Sequence, residues 1–200
     1  MAMDRPVPDT VVKAGGRGSG PDPGGGLRFV SIHEGGQRSL VEVRRLTGDY
    51  FRWMDGEISR VCGLSIPDMV GMDMTEYVGM TMDGMCAVRP PEGLFLIVED
   101  GAEAVGMGGL RRLPDGAAEI VRIYTDPAHR GRGIGARTVA MLVERARAFG
   151  YRRVKLDTGT FMTSAQRIYS AAGFTPIDPY EGAEPPAVLH PHWLYMSRDL

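Results

Sequence analysis

Cysteine is scarce: Cys62 and Cys86 are the only two in 200 residues, with no CxxC pair and no Cys/His cluster beside either. That spacing offers no disulfide framework and no thiolate zinc site, and a reducing, cytoplasmic setting is the simpler expectation. No apolar run approaches the ~20 residues of a membrane span, and the N-terminus lacks a signal-peptide core, so no membrane partner is expected. Charge of neither sign dominates, with 23 Lys and Arg against 25 Asp and Glu and a formal net charge of -2. Such a balance argues against a general nucleic-acid binder. Aromatic residues make up only 8%. A chain of this length nevertheless buries roughly 70% of its unfolded surface, enough for a core without covalent staples.

What is abundant is glycine, 28 residues, and it is unevenly placed. Eleven of the first 26 residues are Gly or Pro, and Val7, Val11 and Val12 are the only branched apolar residues among them. Such a segment buries too little to offset the entropy of ordering, so 1–26 reads as a tail and 27–200 as one domain. In the domain, 27–33 alternates as a first strand. A long helix follows through Leu40, Val43, Tyr50, Met54, Ile58 and Val61, and Pro67 is expected to close it. A poorer, methionine-rich helix is expected within 73–87. Strands are expected at 94–99, near 103–111 after the turn at Asp100-Gly101, and from Glu119. Then come a helix from Ile134 to Phe149, a strand at 153–157, a helix near 162–172, and strands around 174–178 and 193–199. Strands in succession, then strand–helix alternation, predict a mixed sheet in a layered α/β fold.

The chemistry concentrates between Glu119 and Phe174. Arg130-Gly131-Arg132-Gly133-Ile134-Gly135 separates a strand from a helix. Its alternate glycines let the backbone approach a ligand, and the helix start directs positive dipole and free N–H groups to the same point. The loop therefore suits an anion such as a pyrophosphate. No GK(S/T) follows it, which excludes a nucleotide P-loop, and a preceding hairpin disfavours a Rossmann βαβ unit. The order EIVRIYT, then RGRGIGA at a helix start, then AQRIYSAAGF, resembles the signature of the Gcn5-related N-acetyltransferase (GNAT) superfamily. The match runs through Ala165, Tyr169, Gly173 and Phe174.

The resemblance implies a mixed, mostly antiparallel sheet with helices on both faces and a splay between two central parallel strands. It implies acetyl-CoA as co-substrate, with no metal, and an amine of a small molecule or peptide as acceptor, attacked directly in a ternary complex. Ile123, Tyr124 and Thr125 would meet the pantetheine arm, with the N–H of Ile123 directed at the thioester oxygen. Arg130, Gly131, Arg132, Gly133, Ile134, Gly135 and Ala136 would hold the pyrophosphate. Tyr169 matches the usual general acid and Glu119 the position where some members keep a base. Strand alternation would put Glu119, Val121 and Ile123 on one face. Met162 departs from the family's frequent Asn.

The acceptor side is less legible. Residues 39–83 hold eight acids and four arginines, a balance that favours a cationic acceptor. His190 and His192 lie between prolines near the last strand, and Met69, Met72, Met74, Met80, Met82 and Met85 suit either a pocket or a helix core. A non-catalytic acyl-CoA-binding module is the competing function, and a homodimer stays open. The domain boundary has a direct test: deleting 1–26 is expected to leave the melting temperature unchanged, whereas a fall of several degrees in thermal denaturation would show that the segment packs on the domain.

Overall fold

A computed structural model describes residues 26–200, and the segment read as a tail lies outside them apart from Gly26. Seven strands form one sheet: β1 (Leu27–Ser31), β2 (Leu94–Asp100), β3 (Glu103–Arg112), β4 (Ala118–Thr125), β5 (Arg153–Gly159), β6 (Thr175–Ile177) and β7 (Trp193–Asp199). Their order is β1-β2-β3-β4-β5-β7-β6. Every neighbouring pair is antiparallel except β4 and β5. This is the mixed, mostly antiparallel sheet expected from the sequence.

Helices cover both faces. The 27-residue α1 (Gly36–Cys62) buries Val43, Leu46, Phe51, Met54 and Ile58, three to five residues apart on one stripe. It stops at Gly63, whose left-handed backbone (φ 67°) returns its N–H to the Ser59 carbonyl. Pro67 does not merely end this region as expected. It lies in the first turn of a short helix, α2 (Ile66–Val70), where Ser65 caps the Asp68 N–H and a proline is tolerated. With α3 (Met74–Ala87), these helices pack on the sheet face that carries Phe95, Ile97, Met107, Val121 and Tyr124. The other face, with Leu96, Val98, Ile120, Val154 and Leu156, is covered by α4 (Ile134–Ala148) and α5 (Thr163–Ala171). Met82 and Met85 are buried in the α1/α3 core, and none of the six clustered methionines lines the main cavity. Among the described residues, no helix is long and apolar enough to cross a membrane.

One irregularity interrupts the sheet. Met107 on β3 faces Tyr124 and Gly109 faces Val121, so two steps on β3 oppose three on β4. The extra residue is a bulge at Arg122–Ile123, and Arg122 has φ 54°, the one positive value among the described non-glycine residues. It corrects the alternation expected for this strand: Val121 joins the α1/α3 core, whereas Ile123 packs with the α4/α5 core. A one-residue insertion reverses every side chain beyond it.

Gly106 on β3 backs this distorted stretch. A Cβ there would sit 2.8 Å from the Tyr124 carbonyl oxygen, a backbone atom that cannot swing aside. Gly106→Ala is therefore expected to cost about 1–3 kcal/mol, whereas Gly84→Ala on α3, with nothing within 4 Å of the new methyl, gains up to about 1 kcal/mol of helix propensity. Paired denaturant melts of the two variants would measure the contrast.

Candidate active site

Pairing between β4 and β5 is confined to Ala118 with Val154 and Glu119 with Lys155. Past Glu119 the strands continue to Thr125 and Gly159 without pairing, because the bulge bends β4 away from its parallel neighbour. The gap between them is a cavity of about 550 Å³. It is walled from both sheet faces: Ile123, Ile134, Ile168 and Tyr169 come from the α4/α5 side, and Tyr50, Trp53, Phe161 and Trp193 from the α1 side.

The glycine loop forms one mouth of this gap. Gly131 and Gly133 have φ of 79° and 74°, and a Cβ added at either would meet nothing within 4 Å. The loop is open toward solvent, and its glycines serve the backbone conformation rather than tight packing. Gly133 caps α4 without any side-chain hydrogen bond, and no acid occupies the helix's first turn. The first-turn N–H groups are thus left to a ligand or to water, with the helix dipole behind them. Arg130 stands at the rim, donating from Nε to the Thr125 carbonyl at 3.2 Å and lying over the rings of Trp53 and Tyr124.

Of the residues expected at the cofactor, Ile123, Tyr124, Thr125, Arg130, Gly131, Gly133, Ile134 and Gly135 all line the cavity. Arg132 and Ala136 do not. The Arg132 guanidinium turns to the β2–β3 turn, 2.6 Å from Asp100 and 3.0 Å from His129 Nδ1, and Ala136 is an exposed residue of the first turn of α4. Met162 also lines the cavity, and its sulfur accepts from the Thr158 hydroxyl at 3.4 Å.

Tyr169 is buried on α5, its ring packed edge-on against Phe174 at 6.2 Å. Burial, reinforced by the charge of Asp157, raises its pKa and keeps the phenol protonated. Its hydroxyl makes no hydrogen bond to another described residue. Asp157 was not singled out in the sequence. It lies on β5 on the face opposite Val154 and Leu156, lines the same cavity, and accepts from Trp193 Nε1 at 2.7 Å. Burial first, and then the negative charge of Glu119, push its carboxyl up to about 7. An acid at the far end of a strand parallel to β4 was the available signal, but only the pairing of β5 with β4 brings it to the gap.

Glu119 is fully buried and is not part of the cavity wall. Its carboxylate pairs with Arg111 of β3 and accepts from the Tyr180 hydroxyl at 2.7 Å. Arg111 also donates to the Gly182 carbonyl at 2.6 Å. These contacts strap the segment between β6 and β7 onto the sheet. The same segment places Glu184 in the cavity wall, 2.7 Å from Arg122. His190 bonds the Pro185 carbonyl and packs on Tyr195, and neither it nor His192 reaches the cavity.

Comparison with known proteins agrees with this fold. The N-acetyltransferase YsnE of Bacillus subtilis, itself uncharacterized, is 25% identical over 144 residues, which cover 63% of this chain and 95% of that protein. An acetyltransferase from Streptococcus agalactiae has the same fold, with a TM-score of 0.63 at 17% identity over 88% of this chain and 99% of that one. So does yncA of Salmonella typhimurium, solved with its cofactor acetyl-CoA, with a TM-score of 0.54 at 12% identity over 88% and 95%. The family model of the acetyltransferase (GNAT) family matches residues 59–174, more than half of the chain. That span runs from the end of α1 through the glycine loop to Phe174, and so takes in both strands of the splay: the chain belongs to the acetyltransferase (GNAT) family.

Proposed function

We propose that this enzyme transfers an acetyl group from acetyl-CoA to a primary amine by direct attack in a ternary complex. The observation that carries the reading is that Asp157 and Tyr169 line one gap, next to a glycine loop that can receive a diphosphate. The open Cβ positions of Gly131 and Gly133 and the uncapped start of α4 fit such a group, as does Arg130 at the rim. Acetyl-CoA supplies an activated acyl thioester.

The chain's own residues handle the protons. An alkylamine is mostly protonated at neutral pH, and Asp157, poised near 7, accepts one proton from the ammonium. The N–C bond then forms as the C–S bond breaks. Tyr169 gives its proton to the departing sulfur and is restored by the second proton lost from nitrogen, so one proton reaches solvent in all. Ile123, which has no partner in the β3–β4 ladder, offers its N–H to the oxygen on which negative charge grows. Glu119 acts through Asp157: its buried charge raises the carboxyl's pKa, and its bonds to Arg111 and Tyr180 hold the wall opposite.

Two substitutions test the acid and the loop. Tyr169→Phe is expected to lower kcat by about 10²- to 10⁴-fold while acetyl-CoA affinity, read by calorimetry, stays within a few-fold. Gly133→Asp is expected to abolish the rise in melting temperature that acetyl-CoA gives the wild type. Wild-type protein that shows neither binding nor thermal shift with acetyl-CoA would end the proposal.

The base is tested by pH. The deprotonated form of Asp157 is required, so kcat/KM should rise as pH passes through about 7, and Asp157→Asn should lose that limb. In Glu119→Gln the negative charge that lifts Asp157 is gone while Arg111 remains, so the limb should move to lower pH. An unmoved limb in both variants would assign it to another group.

A further inference from the structure

We propose that the acceptor is a primary amine carried on an aromatic body, with its ammonium at Asp157 and its ring against the α1-side wall of the gap. This rests on the acetyl-transfer reading and names the substrate class for the same site.

The wall is built of rings from three separate elements. Tyr50 and Trp53 of α1 lie 6.3 Å apart, Trp53 meets Phe161 at 6.4 Å, and Phe161 meets Trp193 at 5.7 Å. Trp193 continues the series to Asp157 through its indole N–H, so the aromatic surface ends at the carboxylate that receives the amine. An ammonium at that junction meets the acid, which favours a cation. The carbon skeleton behind it then displaces water from ring surface.

Asp157 is countered by a neutral indole donor and is left to take one ammonium. A polyamine would need a second unmatched acid, and Glu184, 2.7 Å from Arg122, is committed to that guanidinium.

The test is a matched series assayed by thiol release with acetyl-CoA: tryptamine, ethylamine and spermidine. The expected result is a kcat/KM for tryptamine at least tenfold above each of the other two. In Trp53→Ala the tryptamine-to-ethylamine ratio should fall toward one, a ratio that partial loss of folded enzyme does not change. Ethylamine or spermidine equal to or better than tryptamine would overturn the inference and leave acetyl transfer standing. So would calorimetry in which the protein saturated with CoA takes up no tryptamine. If acetyl-CoA neither binds nor is consumed with any amine, the proposed function itself fails, and that outcome is distinct from the others.

Discussion

The structure turns on a single failure of strand pairing. Arg122 occupies a left-handed conformation that costs a non-glycine residue roughly 1–2 kcal/mol, and the extra residue it introduces bends β4 away from β5. Three consequences share this cause. The parallel pairing ends after Glu119. The side chains beyond the bulge reverse, which sends Ile123 to the α4/α5 face. A backbone segment without a ladder partner is left facing the gap. A regular β4 would close the sheet and leave no site. The ion pair of Arg122 with Glu184 and its position over Phe51 help to hold the strained residue in place.

A second constraint works behind the cavity. Glu119 is fully buried and pairs with the half-buried Arg111, and a pair with a buried charge contributes little net stability unless its remaining groups are satisfied. Here they are satisfied by the segment that precedes β7, through the Tyr180 hydroxyl and the Gly182 carbonyl. Lys155, paired with Asp115, lies over the Tyr180 ring at 4.7 Å and adds to the same anchor. The polar interior therefore fixes a connection that would otherwise run loosely over the surface, and with it the side of the gap that carries Glu184 and Trp193. The buried charge of Glu119 also reaches Asp157 and holds its carboxyl up.

The chain's two sheet faces have different parts in this arrangement. The α4/α5 face supplies the glycine loop, the start of α4 and Tyr169, all within 119–174. The α1/α3 face supplies rings and acids from residues more than a hundred positions apart, Tyr50 and Trp53 at one extreme and Glu184 and Trp193 at the other. One side of the gap is thus local in sequence and the other is assembled by the fold.

That difference explains what was legible. Periodicity and turn chemistry located nearly every helix and strand, because α1 and α4 keep apolar residues on one stripe and glycine stops both α1 and the helix ending near Gly150. The positions of the loop Arg130–Gly135 and of Tyr169 at the gap were legible because they follow from short-range spacing. Pro67 misled because a proline ends one helix and opens another by the same fixed φ. The face of Ile123 was misjudged because no residue type marks the bulge; Arg122 is not a glycine, and its conformation is imposed by register with β3 and by partners at Phe51 and Glu184. Asp157 was not singled out because an acid in a strand gains its meaning from what the neighbouring strand fails to cover. By itself the sequence determined the elements, the glycine-rich loop at the start of α4 and the phenol on α5, all of which follow from contacts within a few turns of chain. Only the tertiary structure decided where β4 and β5 part and which acids meet there, because burial and long-range charge are properties of packed neighbours rather than of spacing.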